Sequence, residues 1–239
     1  MDIRLVLASI ASGYFLGAIS FARVVTRIAD PDFDLEEVYI PSSQEDGDDY
    51  RFRSVSATAA SMKLGGKVGC LIGWLDMFKV AVPTLVFKLM FPNQPYFLFA
   101  AAMGMVGHNW PVYYKFNGGS GVSSVYGAML VIDWIGALAC AFGGLFLGMV
   151  VIRDVLVSYL AGVWLLIPWL WFRTNDPYHI GYAVMVNLLF MFSLIPEIRD
   201  ALQSRKDGTY DFTLAMKSIP MGQGMLKMMD FFKFKKAEE

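Results

Sequence analysis

Cysteine is scarce in this 239-residue chain, and the two present, Cys70 and Cys140, both lie in apolar runs without the spacing of a zinc site or a disulfide framework. They read as small buried residues, and neither a metal nor another cofactor is expected. Charge is scarce too: 17% of residues are charged, against about 25% in an ordinary soluble domain. The net charge of -1, from 20 basic and 21 acidic residues, gives no basic excess of the kind that nucleic acid would attract. A cleavable leader is also missing, because the first apolar run continues through Gly13, Tyr14, Phe15 and Leu16 without a small-residue cleavage site before it. That run is expected to stay as a membrane anchor.

What the sequence does have is apolar surface. Hydrophobic residues make up 56% of the chain, above the roughly 45–50% of soluble domains, and the excess needs lipid to bury it. Residues 5–22, 68–91, 96–114, 134–152, 155–172 and 177–195 are each long enough for a crossing, since only a helix closes its own hydrogen bonds in hydrocarbon. The stretch 116–152, whose single charge is Asp133, is too long for one simple helix and short for two, so a kinked or re-entrant segment is expected over 122–132.

Basic residues decide the parity, because short cytoplasmic loops concentrate Lys and Arg. Seven crossings put sixteen basic residues inside and leave Arg4, Lys88 and Arg173 outside, whereas six put eight inside and eleven outside. The expectation is therefore an all-α, polytopic protein of the cell (inner) membrane with seven transmembrane helices, its N-terminus outside and its C-terminus cytoplasmic.

Residues 1–205 form the expected membrane domain, with an acidic cytoplasmic loop over 29–50, and 206–239 a cytoplasmic Met/Lys-rich tail. From Asp30 to Asp49 there are nine acidic residues and no basic one, the pattern of a solvated loop. The tail from Met216 to Phe234 mixes Met and Phe with lysines, which suits a helix on an anionic membrane surface or one that binds a protein partner. Trp164, Trp169 and Trp171 fit an interfacial aromatic belt.

The loops assigned to the cytoplasm hold the chemistry. Residues 54–67 offer Ser54, Ser56 and Ser61 with Lys63 and Lys67, hydroxyls and cations compatible with a phosphate, or else a flexible loop. The run Asn117-Gly118-Gly119-Ser120-Gly121 precedes Val122, where a helix start would aim its amides at an anion, and its alternative is a Gly-rich turn between helices. His108 is either a catalyst or a hydrogen-bonded structural residue. Asp76 and Lys79, three apart in the second crossing, share a helix face, and they mark function or an ion pair that tethers helices.

In order and interval these blocks resemble the integral-membrane acyl-phosphate:glycerol-3-phosphate acyltransferase family of bacterial phospholipid synthesis. Gly13-Tyr14-Phe15-Leu16-Gly17-Ala18-Ile19-Ser20 is similar to its Gly-Tyr-Leu-Leu-Gly-Ser-Ile-Pro start, and Leu75-Asp76-Met77-Phe78-Lys79 to its Leu-Asp-x-x-Lys helix. Gly107-His108-Asn109-Trp110-Pro111-Val112 resembles Gly-His-x-Phe-Pro-Val, and Phe116-Asn117-Gly118-Gly119-Ser120-Gly121-Val122 resembles Phe-Lys-Gly-Gly-Lys-Gly-Val. The resemblance implies seven crossings and metal-free transfer of a fatty acyl group to the 1-hydroxyl of glycerol 3-phosphate, giving lysophosphatidic acid. Membrane lipid, glycerol 3-phosphate and an acyl donor are the implied partners.

In that frame Ser54 and His108 are the candidate catalytic residues. Ser56, Ser61, Lys63, Asn117, Gly118, Gly119, Ser120, Gly121 and Arg199 are the candidate phosphate contacts. The departures fall on the same residues: Ser56 and Ser61 stand where the family has asparagines, and Asn117 and Ser120 where it has lysines. The terminal His-x-Glu-Asn-Ile-x-Arg is reduced to Pro196-Glu197-Ile198-Arg199. Each lost charge-assisted hydrogen bond costs about 1.5–3 kcal/mol, which keeps open a rival reading as a membrane scaffold or subunit that makes contacts through the acidic loop or tail. A transporter is the third reading, without a recognisable inverted repeat.

Overall fold

Asp2 opens the first apolar run by accepting the Arg4 amide at 2.9 Å, and α1 (Ile3–Gly17) follows. The computed structural model describes residues 1–40, 50–51, 54–208, 211–220, 222–224 and 226. After α1 come α2 (Phe21–Ala29), a two-residue antiparallel ladder of β1 (Tyr39–Ile40) with β2 (Tyr50–Arg51), α3 (Ala57–Leu64), α4 (Gly66–Met90) and α5 (Tyr96–Asn109). A 3₁₀ turn (Val112–Tyr114) leads to α6 (Val122–Ile132) and α7 (Trp134–Leu145), which continues as a π-helical segment (Phe146–Ile152). The chain then forms α8 (Val155–Trp164), α9 (Leu166–Thr174), α10 (Pro177–Ser193), α11 (Ile195–Lys206) and α12 (Phe212–Ser218).

Several boundaries depart from the apolar pattern for identifiable reasons. The run 5–22 breaks after Gly17 because the Ser20 hydroxyl accepts the Arg23 amide at 3.4 Å and starts α2. The run 116–152 breaks at Asp133, whose extended backbone ends α6 and begins α7. Pro168 has no N–H to give the Trp164 carbonyl, and α8 and α9 part at Leu165. Three helical stretches are long and apolar enough to cross a bilayer, Ile3–Ala29, Gly66–Met90 and Trp134–Ile152, and Val122–Ile132 and Leu160–Thr174 are shorter apolar helices.

Small residues bring the helices together. A methyl group on Gly13 or Gly17 would run into the carbonyls of Ala100 and Gly104, and one on Gly107 into that of Tyr14, so the α1 and α5 backbones touch. Gly127 meets Met77 of α4 in the same way, and Gly144 meets Gly162 of α8. The core lies among α5, α6, α8, α9 and α10, where Met105, Met129, Leu166, Leu170, Val186 and Phe190 are buried. Outward-facing positions are apolar as well: Leu89, Phe142, Phe172, Leu188 and Phe192 are all exposed, as lipid-facing residues are.

Cys70 corrects the sequence expectation, because it is exposed on α4 whereas Cys140 is buried. Of the three tryptophans, Trp164 and Trp171 face outward, while the Trp169 indole turns to Asp133. The expected acidic loop is described for residues 30–40, and 41–49 lie outside the described residues. In the tail, α12 packs on α8 with Met216 and Ile219 buried, and Pro220 reaches Gly66. Most of the stretch from 225 to 234 also lies outside the described residues.

Candidate active site

Ser56 caps α3 by accepting the Ala59 amide at 3.4 Å, which fixes the two residues before it. The Val55 amide donates to the Gly118 carbonyl at 3.2 Å, so the serine segment and the glycine loop are joined directly. Ser54 is buried beside this junction, and its hydroxyl has no hydrogen-bond partner among the described residues.

The glycine loop owes its shape to Pro111 and to two left-handed residues, Lys115 and Phe116. The Phe116 amide returns to the Pro111 carbonyl at 3.0 Å, and the Gly119 amide donates to the His108 carbonyl at 3.1 Å. No side chain fits at Gly119, because a methyl there would enter the His108 ring. Gly121, at φ 92°, is the N-cap of α6 and offers no side-chain cap, which leaves that helix's opening amides to another partner. Asn109 lies against Gly121, and it is buried with neither side-chain amide atom bonded among the described residues.

Beneath the loop three ionisable groups meet. Lys79 Nζ is 2.7 Å from Asp76 Oδ1 and donates to the Ile19 carbonyl at 2.6 Å; His108 Nδ1 is 3.7 Å from the same carboxylate oxygen. The expected Asp76–Lys79 pair thus forms, and it joins α4 to the α1–α2 junction and to α5. His108 holds the loop by its backbone carbonyl and stands between Asp76 and Gly119.

The other sequence-predicted residues are placed less centrally. The Ser61 hydroxyl donates to the Thr58 carbonyl at 2.8 Å. Lys63 is exposed, with Nζ 4.6 Å from the centre of the Phe33 ring. Arg199 is exposed on α11. Asn117 and Ser120 contribute carbonyls, the first to Arg23 at 2.8 Å and the second to the Ser193 hydroxyl at 3.2 Å. Ser54, His108, Gly118, Gly119 and Gly121 therefore come together, while Lys63 lies over Phe33 and Arg199 is exposed on α11.

Arg23, Asn109 and Ser193 also contact the glycine loop, and the sequence does not single them out. Asn109 was visible within the His108 motif, but Arg23 and Ser193 reach the loop only through the folded chain.

The family model described as Glycerol-3-phosphate acyltransferase matches residues 7–204. The chain belongs to that family. Among its relatives, the glycerol-3-phosphate acyltransferase of Mycoplasma mycoides subsp. mycoides SC is 27% identical over 214 residues, covering 79% of this chain and 77% of the relative. The one of Methylococcus capsulatus is 30% identical over 128 residues, 53% of this chain and 58% of the relative. A crystal structure of PlsY (YgiH), an integral membrane glycerol 3-phosphate acyltransferase, in its glycerol 3-phosphate form superposes with a TM-score of 0.71 at 23% identity. The match covers 84% of this chain and 93% of that one, and the lysophosphatidic acid form gives 0.69 at 22%. This acyltransferase-family chain therefore shares the PlsY fold and is a multi-pass membrane protein.

Proposed function

We propose that the protein transfers a fatty acyl group to the 1-hydroxyl of glycerol 3-phosphate, giving lysophosphatidic acid, at the cytoplasmic ends of its helices. The observation that carries this reading is the pair of buried, unpartnered groups, the Ser54 hydroxyl and the Asn109 amide, beside an uncapped helix start. Buried polar groups without partners each cost about 1–3 kcal/mol, and a polar substrate with a phosphate supplies the missing donors and acceptors. Membership of the glycerol-3-phosphate acyltransferase family supports the same substrate.

In the reaction the acceptor oxygen attacks the acyl carbonyl carbon, a new C–O ester bond forms, and the bond to the donor's leaving group breaks. The leaving group takes the electron pair, and the proton lost by the acceptor hydroxyl passes to the leaving-group anion or to water. Ser54 would orient the acceptor hydroxyl, the opening amides of α6 from Val122 to Ser124 would hold phosphate oxygens, and His108 would keep the loop in shape over Asp76 and Lys79. Ser56, Ser61 and Lys63 would line the approach from α3, and Arg199 would approach from α11. The acyl chain would run between helices, where apolar surface is cheap. Seven crossings, with the N-terminus outside and residues 206–239 as a cytoplasmic tail, complete the reading.

The deciding experiment incubates the purified protein in lipid with labelled glycerol 3-phosphate and, in turn, acyl phosphate, acyl carrier protein thioester and acyl-CoA. Lysophosphatidic acid is expected with one of them. No product with any donor, together with stable co-purification of another protein, would overturn the enzyme reading in favour of a scaffold. For topology, cysteines introduced at Gln44 and Gln203 are expected to label from the same face, and labelling from opposite faces would reject seven crossings.

A further inference from the structure

The glycine loop has no cation of its own between residues 116 and 122. The cations expected at the site are elsewhere, with Lys63 over the Phe33 ring and Arg199 exposed on α11. A doubly charged phosphate that leaves water needs opposing charge as well as amides.

One guanidinium is held against the loop. Arg23, in the first turn of α2, donates from Nη1 to the Asn117 carbonyl at 2.8 Å and from Nη2 to Glu36 Oε1 at 2.8 Å. Its Cζ lies 4.6 Å from the centre of the Tyr114 ring. Contacts from two segments, the 114–117 turn and Glu36, orient the fork, and its side chain is 19% exposed. Glu36 is 43% exposed, so the charge of Arg23 is met by a carboxylate that water already solvates. An ion pair with one such solvated partner is weak, whereas a guanidinium fork matches phosphate oxygens in two charge-assisted hydrogen bonds.

We propose that Arg23 is the phosphate-recognising cation of this site and that Glu36 is its resting partner, displaced when the substrate phosphate arrives. The Asn117 carbonyl and the Tyr114 ring keep the guanidinium beside the loop, and Glu36 screens it until an anion competes. The identity of the substrate rests on the acyl-transfer reading, but phosphate recognition by Arg23 is measurable without it.

The test uses the full chain in lipid nanodiscs and measures glycerol 3-phosphate and inorganic phosphate binding by calorimetry at two ionic strengths, with turnover in parallel. Arg23→Gln still donates hydrogen bonds to Asn117 but has no charge, so it is expected to weaken glycerol 3-phosphate binding roughly tenfold or more. Its salt dependence should flatten as well. Arg23→Lys should lose less than Arg23→Gln, and Glu36→Gln should tighten binding about twofold or more by removing the competing carboxylate.

Binding by Arg23→Gln within twofold of the native protein, or equal losses in the Gln and Lys variants, would overturn the assignment. Weaker binding in Glu36→Gln would overturn the competitor role, and this variant with Arg23→Lys carries the test if Arg23→Gln does not fold. A native protein that binds glycerol 3-phosphate through Arg23 yet forms no product would reject acyl transfer and keep this inference. Normal product formation with an unchanged KM in Arg23→Gln would do the reverse.

Discussion

The two ends of the helix bundle treat their polar groups differently. Where α4 finishes, neighbours close them: Lys88 Nζ takes the carbonyls of Val131 and Ile132 at the end of α6, and Asp133 accepts the Trp169 indole N–H at 2.9 Å beside Arg173 at 3.4 Å. The Tyr96 hydroxyl accepts the Asp2 amide at 2.7 Å, and Asp176 caps α10 while it meets His179. At the opposite end the Ser54 hydroxyl and the Asn109 amide are buried without partners, and the start of α6 has no side-chain cap. The end where α4 finishes pairs its caps and charges within the chain, with the buried Tyr182 hydroxyl as an exception. The other keeps an unfavourable term that a ligand can offset.

The largest expected effect tests the layer beneath the unfinished end. Lys79→Met leaves the Asp76 carboxylate buried and unpaired, and is expected to destabilise the protein by about 3–5 kcal/mol. Thermal unfolding in detergent measures the loss, and adding Asp76→Leu should recover most of it. A single variant as stable as the native protein would show that the pair is not a structural necessity.

Next comes the glycine loop. In Gly119→Ala the new methyl meets the His108 ring; overpacking of about 1–3 kcal/mol, if felt at the site, lowers turnover roughly ten- to a hundredfold. Native turnover would mean that the loop geometry is not used in the reaction.

At the finished end, Trp169→Phe removes the indole N–H from Asp133 and is expected to cost about 1.5 kcal/mol of stability with turnover unchanged. If turnover fell as well, the two ends would be coupled and the comparison would break. Ser54→Ala is the mirror image: turnover should fall about tenfold, equivalent to about 1.4 kcal/mol, while the melting temperature stays level or rises because a buried unpartnered hydroxyl is gone. A lower melting temperature would show that Ser54 already has a partner.

The smallest effect is electrostatic. The hydrogen bond from the His179 ring, with the His179 amide and charge beside it, holds the Asp176 carboxyl below the usual carboxylate range. Its stabilisation is therefore present above the unfolded value of about 3.9 and is lost as pH falls through the lower folded value. Asp176→Asn keeps a good N-cap, so its melting temperature should differ little from native in acid and fall slightly short of it near neutrality. Equal melting temperatures across the range would remove this carboxylate from the acid response.

Contiguous motifs were legible from the sequence, because their residues meet through local geometry. Asp76 and Lys79 are one helical turn apart, and Gly118 to Gly121 form a single loop against the His108 motif. What stayed hidden depended on contacts across the chain. Arg23 counted only as a cytoplasmic charge until folding set it on Asn117, 94 residues away. The place of Lys63 over the Phe33 ring was hidden too, because nothing local announces that Phe33 lies beneath it. Cys70 shows a limit peculiar to lipid: an apolar run does not say which face meets the core and which meets hydrocarbon, since both are apolar. The break after Gly17 was hidden by an apolar run that continues through it, although Ser20 carried the capping signal.

The contact of Gly13 and Gly17 with α5 also sets an order of events during synthesis. α1 is made before α5, and the backbone it is shaped to touch lies about 90 residues later, as the 94-residue span from Asp2 to Tyr96 shows. At about 5–20 residues per second, the ribosome leaves α1 without that partner for roughly 5–20 s. During that interval its row of small residues faces lipid or the insertion machinery, with α4 arriving before α5. α1 thus waits through the synthesis of α2 to α4 for its main neighbour, and assembly cannot proceed as a simple series of adjacent hairpins.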